Sequence, residues 1–416
     1  MGKVDSLTIS LHGVICRLEA DQPAFLDFAR RHLFGLFEFE NEPGPGLHSE
    51  AGVVARLHWD AAPSSDWRHG TERQWGRRIF QSGARLLQSE VLPLPGLQLE
   101  AGWMSATKPA GDVLRLEAYY QPASRLQRFA QRMGLTAEVH HALIYYLVYF
   151  PLIYILGQTR GCYLLHAAAV TYPSGASSLA GATQPAETSP APGPGWLLAG
   201  LPGSGKTTFA LSLLANPQAR LLSDNLVLFD ERRVYALPES IHLSGSSRAK
   251  LSPAVQDMMQ DTGYGKGSYA RGEYRLPPAA RRAQAIPQAL FFIGLRATEL
   301  AGATEPAGET HCAPLAPAAA LRRLLAFDHL SKEMAAYSQF AAALDLISPG
   351  GGESCRRSTL ERLVSSLACF ELWLRRNAPL EETAMKVEML ASQMLASGMQ
   401  APMLQTPEAG TPQKYG

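Results

Sequence analysis

The sequence predicts a mixed α/β fold, and three observations carry that reading. Residues 1–125 alternate apolar and polar side chains with the period of half-buried strands. From about residue 126 short apolar strand patterns alternate with amphipathic helical ones. Between a strand pattern, Trp196-Leu197-Leu198-Ala199, and a helical one, Thr208–Leu214, lies Gly200-Leu201-Pro202-Gly203-Ser204-Gly205-Lys206-Thr207-Thr208. That segment fits G-x-x-x-x-G-K-[ST], the Walker A phosphate loop, in the strand–loop–helix setting that the motif requires.

The elements follow in order. Leu7–Leu11 and Val14–Leu18 read as strands turned at Gly13, and Val53–Trp59 and Val113–Tyr119 as further strands. Phe25–Phe37 reads as an amphipathic helix. His12, His32, His48, His58 and His69 have no metal-ligand spacing and read as ordinary polar residues. Leu126–Met133 and Ala142–Leu156 read as helices. The second is too short to span a bilayer, which needs about 20 residues, and Pro151 interrupts it. A buried core helix is expected there, with a monotopic membrane contact as the alternative. Cys162–Val170 reads as a strand next to 196–199. The Pro/Gly/Ser/Ala-rich residues 172–195 cannot build a core and read as a flexible insert between the two.

A helix 207–215 then gives way at Asn216-Pro217 to a strand over Arg220–Phe229. Glycines and basic residues mark 245–285 as a mobile segment over the site. Ala289–Leu295 is a buried strand, 297–313 a polar loop, and Pro317 opens a helix to Phe327. Helices are expected over Lys332–Leu346, Ser358–Leu374 and Leu380–Leu395, then a frayed tail at 398–416. The expected domains are therefore 1–125, 126–397 and the tail.

Composition narrows the function. The chain has 416 residues, 46% apolar and 18% charged, with a net charge of +1, so no basic excess points to nucleic acid. Five scattered cysteines without a C-x-x-C pair, and a start without an apolar signal core, lead to the expectation of a cytoplasmic chain without membrane attachment.

A phosphate loop turns backbone N–H groups and a helix N-terminus toward phosphates. The whole run from Gly200 through Leu201, Pro202, Gly203, Ser204 and Gly205 to Thr208 is therefore expected to contact nucleotide. Lys206 would reach the β- and γ-phosphates and the Thr207 hydroxyl would ligate Mg²⁺. Asp224 ends a strand eighteen residues after Lys206. It could hold Mg²⁺, accept a proton from an attacking hydroxyl, or merely cap a turn. His166, inside an apolar strand, reads by itself as a core residue. A transition-state cation would come from Arg248, Lys250, Lys266, Arg271 or Arg275, with Arg275 preferred.

Three segments together resemble the HPr kinase/phosphorylase family of serine kinases: Leu164-Leu-His166-Ala-Ala-Ala-Val170, Gly200–Thr208, and Arg220-Leu-Leu-Ser-Asp224-Asn225. The resemblance covers about residues 140–300. It implies a P-loop kinase core like the nucleotide domain of phosphoenolpyruvate carboxykinase, with ATP and Mg²⁺ as cofactors and transfer of the γ-phosphate to a serine hydroxyl. It also implies catalytic roles for Lys206, Asp224 and His166 and a possible homo-oligomer. Glu239 would stand for the family's metal-binding glutamate, beside Thr207 and Asp224. Asn225 replaces the family's second aspartate, Ala167 its glycine, and the E-I-R-G-x-G-like segment is missing, which argues against HPr itself as acceptor.

The expected function is a kinase for a serine of a peptide or small protein, with residues 1–125 as the partner-binding part. The alternatives are a kinase for an amino acid or sugar, and a non-catalytic nucleotide-binding switch. A transporter ATPase does not fit. Leu243-Ser244-Gly245-Ser246-Ser247 lies too near Lys206, and no strand ending in Asp-Glu follows.

Overall fold

The computed structural model describes residues 5–33, 51–63, 67–75, 77–91, 94–104, 112–122, 124–125, 128–129, 137–172, 193–263, 271–296, 310–348, 352–375 and 379–396. The fold is mixed α/β, built on two large mixed sheets and a small third one.

The first sheet contains β1 (Asp5–Leu11), β2 (Val14–Ala20), β3 (Ala51–Trp59), β4 (Arg73–Trp75), β5 (Ile79–Ser82), β6 (Arg85–Gln88), β7 (Leu97–Met104) and β8 (Val113–Tyr120). Its order is β1-β2-β3-β8-β7-β6-β5-β4. The β2–β3 and β3–β8 pairs are parallel, and the helix Pro23–Leu33 makes the crossover between β2 and β3. Gly13 takes a left-handed φ of 77° at the β1–β2 turn, where a side chain would be strained. One face of this sheet carries Ile9, Leu18, Ala55, Leu57, Leu99 and Leu116, all buried.

The long helical stretch from Ala137 covers that face. It runs as Ala137–Ile144, a π-turn Tyr145–Tyr149, and Phe150–Arg160, ending on a left-handed Gly161. By length and composition the helix Glu138–Arg160 could cross a membrane, but 78% of its most apolar stretch is buried within the fold. It packs on β2 and β3 on one side and β9 on the other, so its apolarity serves the joint between the two large sheets.

The second sheet holds β9 (Tyr163–Leu165), β10 (Ala168–Thr171), β11 (Gly193–Ala199), β12 (Arg220–Ser223), β13 (Val227–Phe229) and β14 (Val234–Ala236). The third sheet interrupts it with β15 (Ile241–Ser244), β16 (Gln260–Asp261) and β17 (Arg271–Arg275). The second sheet resumes with β18 (Gln284–Arg296), β19 (His311–Pro314) and β20 (Ala368–Arg375). Its path is β12-β10-β11-β18-β14-β13-β9, with β20 between β18 and β19. One face packs on the helices Lys206–Ser212 and Leu380–Ala396, the other on Pro317–Leu330 and Gly352–Ser365.

Two features of this sheet place the site. β9 ends the path and β10 lies second from its other end, yet only His166 and Ala167 separate them. Likewise only Asp224, Asn225 and Leu226 separate β12 from β13. Two or three residues span at most about 10–14 Å end to end. The sheet therefore curls until its ends meet, and both seams lie at that meeting point.

Several elements differ from the sequence reading. The expected strands 162–170 and 220–229 are each broken, at His166-Ala167 and at Asp224-Asn225-Leu226. The insert expected over 172–195 is shorter, because Tyr172 stacks on Trp196 at 4.5 Å and Gly193–Gly195 belong to β11. The helix expected over Ser358–Leu374 ends at Ser365, and β20 follows. Leu360, Leu363 and Val364 keep helical spacing, whereas Phe370, Leu372 and Leu374 alternate with Glu371 and Trp373. No Gly or Pro separates the two periods, so one read as a continuation of the other.

His311–Pro314 forms an edge strand inside the expected polar loop. The described part of the segment read as mobile, 245–285, holds two short helices, Gly245–Arg248 and Pro253–Met258, and the strands β16 and β17 of the third sheet. The expected helix 126–133, most of the insert and the tail lie largely or wholly outside the described residues.

Candidate functional site

The phosphate loop joins β11 to the helix Lys206–Ser212, as its spacing requires. Gly203 and Gly205 take φ of 80° and 91°, which favour glycine. At Gly200 the constraint is space: an added Cβ would lie 2.6 Å from both the Ile293 carbonyl and Ser204 Oγ. The N–H groups of the helix's first turn have no intrahelical acceptor and face the loop.

Not every residue of the motif is placed to hold phosphate. Leu201 and Pro202 are exposed at the loop's tip. The Ser204 N–H donates to the Leu201 carbonyl at 3.0 Å, so Pro202 and Gly203 are the two central residues of a tight turn. Proline followed by a positive-φ glycine is the pairing such a turn favours. Pro202 has no backbone N–H and cannot donate to a phosphate. Pro202 therefore shapes the turn and would meet a nucleotide only through its ring or carbonyl.

Lys206 is buried, and its Nζ donates to the carbonyls of Gly200 at 2.7 Å and Leu201 at 3.2 Å. Burial lowers its pKa to about 8, against the pull of Asp224 and Glu333. Thr207 donates its hydroxyl to the Asp224 carbonyl at 3.3 Å, linking the helix start to the β12–β13 seam. The Asp224 carboxyl is buried, and burial pushes its pKa up to about 7 even though the Thr207 hydroxyl bonds it and Lys206 attracts it. Glu239 lines the same small cavity as Asp224, together with Arg275 and Arg281. Burial, then the charges of Asp224 and Glu333, push Glu239 up to about 8, although it accepts a hydrogen bond from Tyr145 at 2.6 Å. Burial thus holds two carboxyls near neutrality in one cavity that two arginines also line.

His166 sits at the β9–β10 seam, at the centre of a tight turn in which Ala167 N–H donates to the Leu165 carbonyl at 3.1 Å. Burial, then the Lys206 charge, pull its pKa down to about 4, so it is a neutral imidazole that interacts with Asn225 and Glu333. A buried ion pair fixes this turn. Arg356 bonds Asp328 and donates to the Leu164 carbonyl at 3.0 Å, and Asp328 accepts from the His166 backbone N–H at 3.4 Å.

Lys206, Thr207, Asp224, Glu239 and His166 thus converge. Arg275 reaches the cavity wall, but its Nη2 also donates to the carbonyls of Arg31 and His32 at 2.5 and 2.7 Å, capping the helix Pro23–Leu33. Among the other basic residues considered, Arg248 lies over the Tyr274 ring at 5.1 Å. The Lys266 and Arg271 side chains lie outside the described residues.

Sequence reasoning missed Glu333 and Arg281. Ser331 accepts from the Met334 N–H and so caps the helix that carries Glu333 in its first turn. That start is readable from the sequence, but the nearness of Glu333 to Lys206, Glu239 and His166 is not.

A second concavity of about 500 Å³ lies on the outer face of the first sheet, lined by Arg56, His58, Arg85, Trp103, Arg115 and Tyr119 among others. Its arginines pair with Glu19, Glu100 and Glu117. No protein-family model matches the chain, and no curated protein matches it significantly in sequence.

Proposed function

We propose that the chain is an ATP-dependent phosphotransferase with a P-loop kinase core of the HPr kinase/phosphoenolpyruvate carboxykinase type, acting on a serine hydroxyl of a peptide or small protein. The observation that carries this reading is the meeting of a Walker A lysine with a buried aspartate whose pKa is raised to about 7. A carboxyl poised near the working pH suits a general base.

Lys206 would leave the loop carbonyls for the β- and γ-phosphates. Thr207 and Glu239 would hold Mg²⁺, which supplies positive charge to the phosphates and the developing transition state. The raised pKa of Glu239 supports that role, because a cation would compensate its buried charge. Asp224 would accept the proton of the acceptor hydroxyl, so the base and metal roles fall on different carboxylates. His166, neutral and held at the seam, would orient Asn225 and the acceptor. Arg281, also in the cavity, would supply transition-state charge beside Arg275. The first sheet's outer groove, lined by paired arginines and glutamates with aromatic side chains, would receive a peptide segment.

The test is transfer from γ-labelled ATP with Mg²⁺ to acceptors in a cell extract separated by size. Label in the macromolecular fraction with wild type, and none with Lys206→Ala, is the expected result. Transfer that persists in Lys206→Ala overturns the site. Label only in the small-molecule fraction replaces the peptide by a metabolite acceptor.

A further inference from the structure

His32, His141 and Glu273 come together from three elements distant in sequence. His32 lies in the last turn of the helix Pro23–Leu33, His141 in Ala137–Ile144, and Glu273 in β17. One ligand atom from each lies within 4.8 Å of the others. His32 Nδ1 is 3.2 Å from Glu273 Oε1, and His141 Nε2 is 3.3 Å from Glu273 Oε2. The two imidazoles meet edge to face, with centroids 4.3 Å apart at 73°.

We infer that these three residues form a binding site for a divalent transition metal of the zinc class, distinct from the phosphate loop. Ligands about 2.0–2.2 Å from a tetrahedral metal stand roughly 3.3–3.6 Å from one another, close to both His–Glu separations here. His32 is 3% exposed and Glu273 1%, so neither has water to fall back on. Glu273 is the shared partner of both imidazoles: His32 Nδ1 approaches its Oε1 at 3.2 Å in poor hydrogen-bond alignment, and His141 Nε2 approaches its Oε2 at 3.3 Å. A cation between them would satisfy this poorly aligned buried pair better than they satisfy each other.

Two nitrogens and one carboxylate suit Zn²⁺, Co²⁺ or Ni²⁺. Mg²⁺ prefers oxygen ligands throughout, so it does not compete for this site. His242 is a further imidazole beside the cluster. It pairs with Glu273 across β15 and β17, and its ring lies 5.6 Å from that of His141. The Arg275 charge opposes a cation here, but the carbonyls of Arg31 and His32 accept from its guanidinium and reduce that cost. A metal would tie the first sheet's helices to β17. That strand carries Arg275 into the Asp224–Glu239 cavity two residues further on. The metal would therefore stiffen one wall of the candidate active site, while its binding does not depend on the kinase reading.

The experiment strips the full chain with chelator, then titrates it with Zn²⁺ by calorimetry and with Co²⁺ by visible absorption. The expected result is one equivalent bound and Co²⁺ ligand-field bands without thiolate-to-cobalt charge transfer, which excludes the cysteines. His141→Ala, at a half-buried position, should weaken binding by about tenfold or more, as should Glu273→Gln. Lys206→Ala should bind metal like wild type, without nucleotide, which separates this inference from the proposed function. Circular dichroism checks that each variant is folded. If Glu273→Gln unfolds, His141→Ala alone decides. No uptake by wild type, a thiolate signature, or unchanged affinity in folded His141→Ala overturns the site.

Discussion

At Asp224 burial and chemistry pull in the same direction. Its pKa in the fold, about 7, lies above its ordinary value of 3.8, so the folded state holds a proton that the unfolded chain has lost. The stability this group contributes is full below about pH 4 and is lost as pH rises through 7. Asp224→Asn should therefore be more stable than wild type at pH 8, by about 1–3 kcal/mol, with the difference fading toward pH 4. Thermal melts across that range measure it. The same variant should lose roughly 10²–10⁴-fold in phosphoryl transfer if Asp224 is the base.

Lys206, Thr207 and Asp224 stand out in the sequence because they are spaced along one strand–loop–helix–strand unit. His166 was legible only through a resemblance to a family, since a histidine in an apolar run reads as core. His32 read as an ordinary polar residue, because a ligand set drawn from positions 32, 141 and 273 has no local spacing to recognise.

Among the elements, the loop from Gly200 to Gly205 is the most tightly determined. Gly200→Ala would push a Cβ to 2.6 Å from the Ile293 carbonyl, a backbone atom of neighbouring β18 that cannot move aside cheaply. The expected outcome is a loss of about 1–3 kcal/mol in stability. Nucleotide affinity should fall by at least about tenfold, read by calorimetry with Mg-ATP.

The π-turn Tyr145–Tyr149 is a second such device. It aims Tyr145 at Glu239 and lets Tyr149 donate to the Pro238 carbonyl at 2.7 Å. No residue pattern announces it, because Ala142–Leu156 is apolar on every side. The same ambiguity ran the helix at Ser358 on into β20, where β-branched residues and breakers were lacking.

At the scale of the whole molecule, the curled second sheet has to be held shut where its ends meet. Arg356 and Asp328 do this from two different helices, buried together and bonded to the backbone at Leu164 and His166. Arg356→Met would leave the Asp328 charge buried without compensation, at a cost of about 3–5 kcal/mol. Chemical denaturation measures that cost. Activity should fall with it, since the β9–β10 seam carries His166. The Asp328→Asn/Arg356→Met double variant should recover part of the stability, which would distinguish an uncompensated charge from lost packing.

By itself the sequence determined what rests on neighbours along the chain: the phosphate loop, the strands and helices flanking it, the β-rich first part, and the apolar helix around Pro151. Only the tertiary structure decided where β9 and β12 break, which carboxyls share a cavity, that Arg281 lines it, that Glu333 lies near Lys206 and Glu239, and that His32 meets Glu273. The physical reason is range. Hydrophobic periodicity and turn chemistry act over a few residues. The desolvation that raises the pKa of Asp224 and lowers that of His166 comes from sheets and helices brought together across the whole chain.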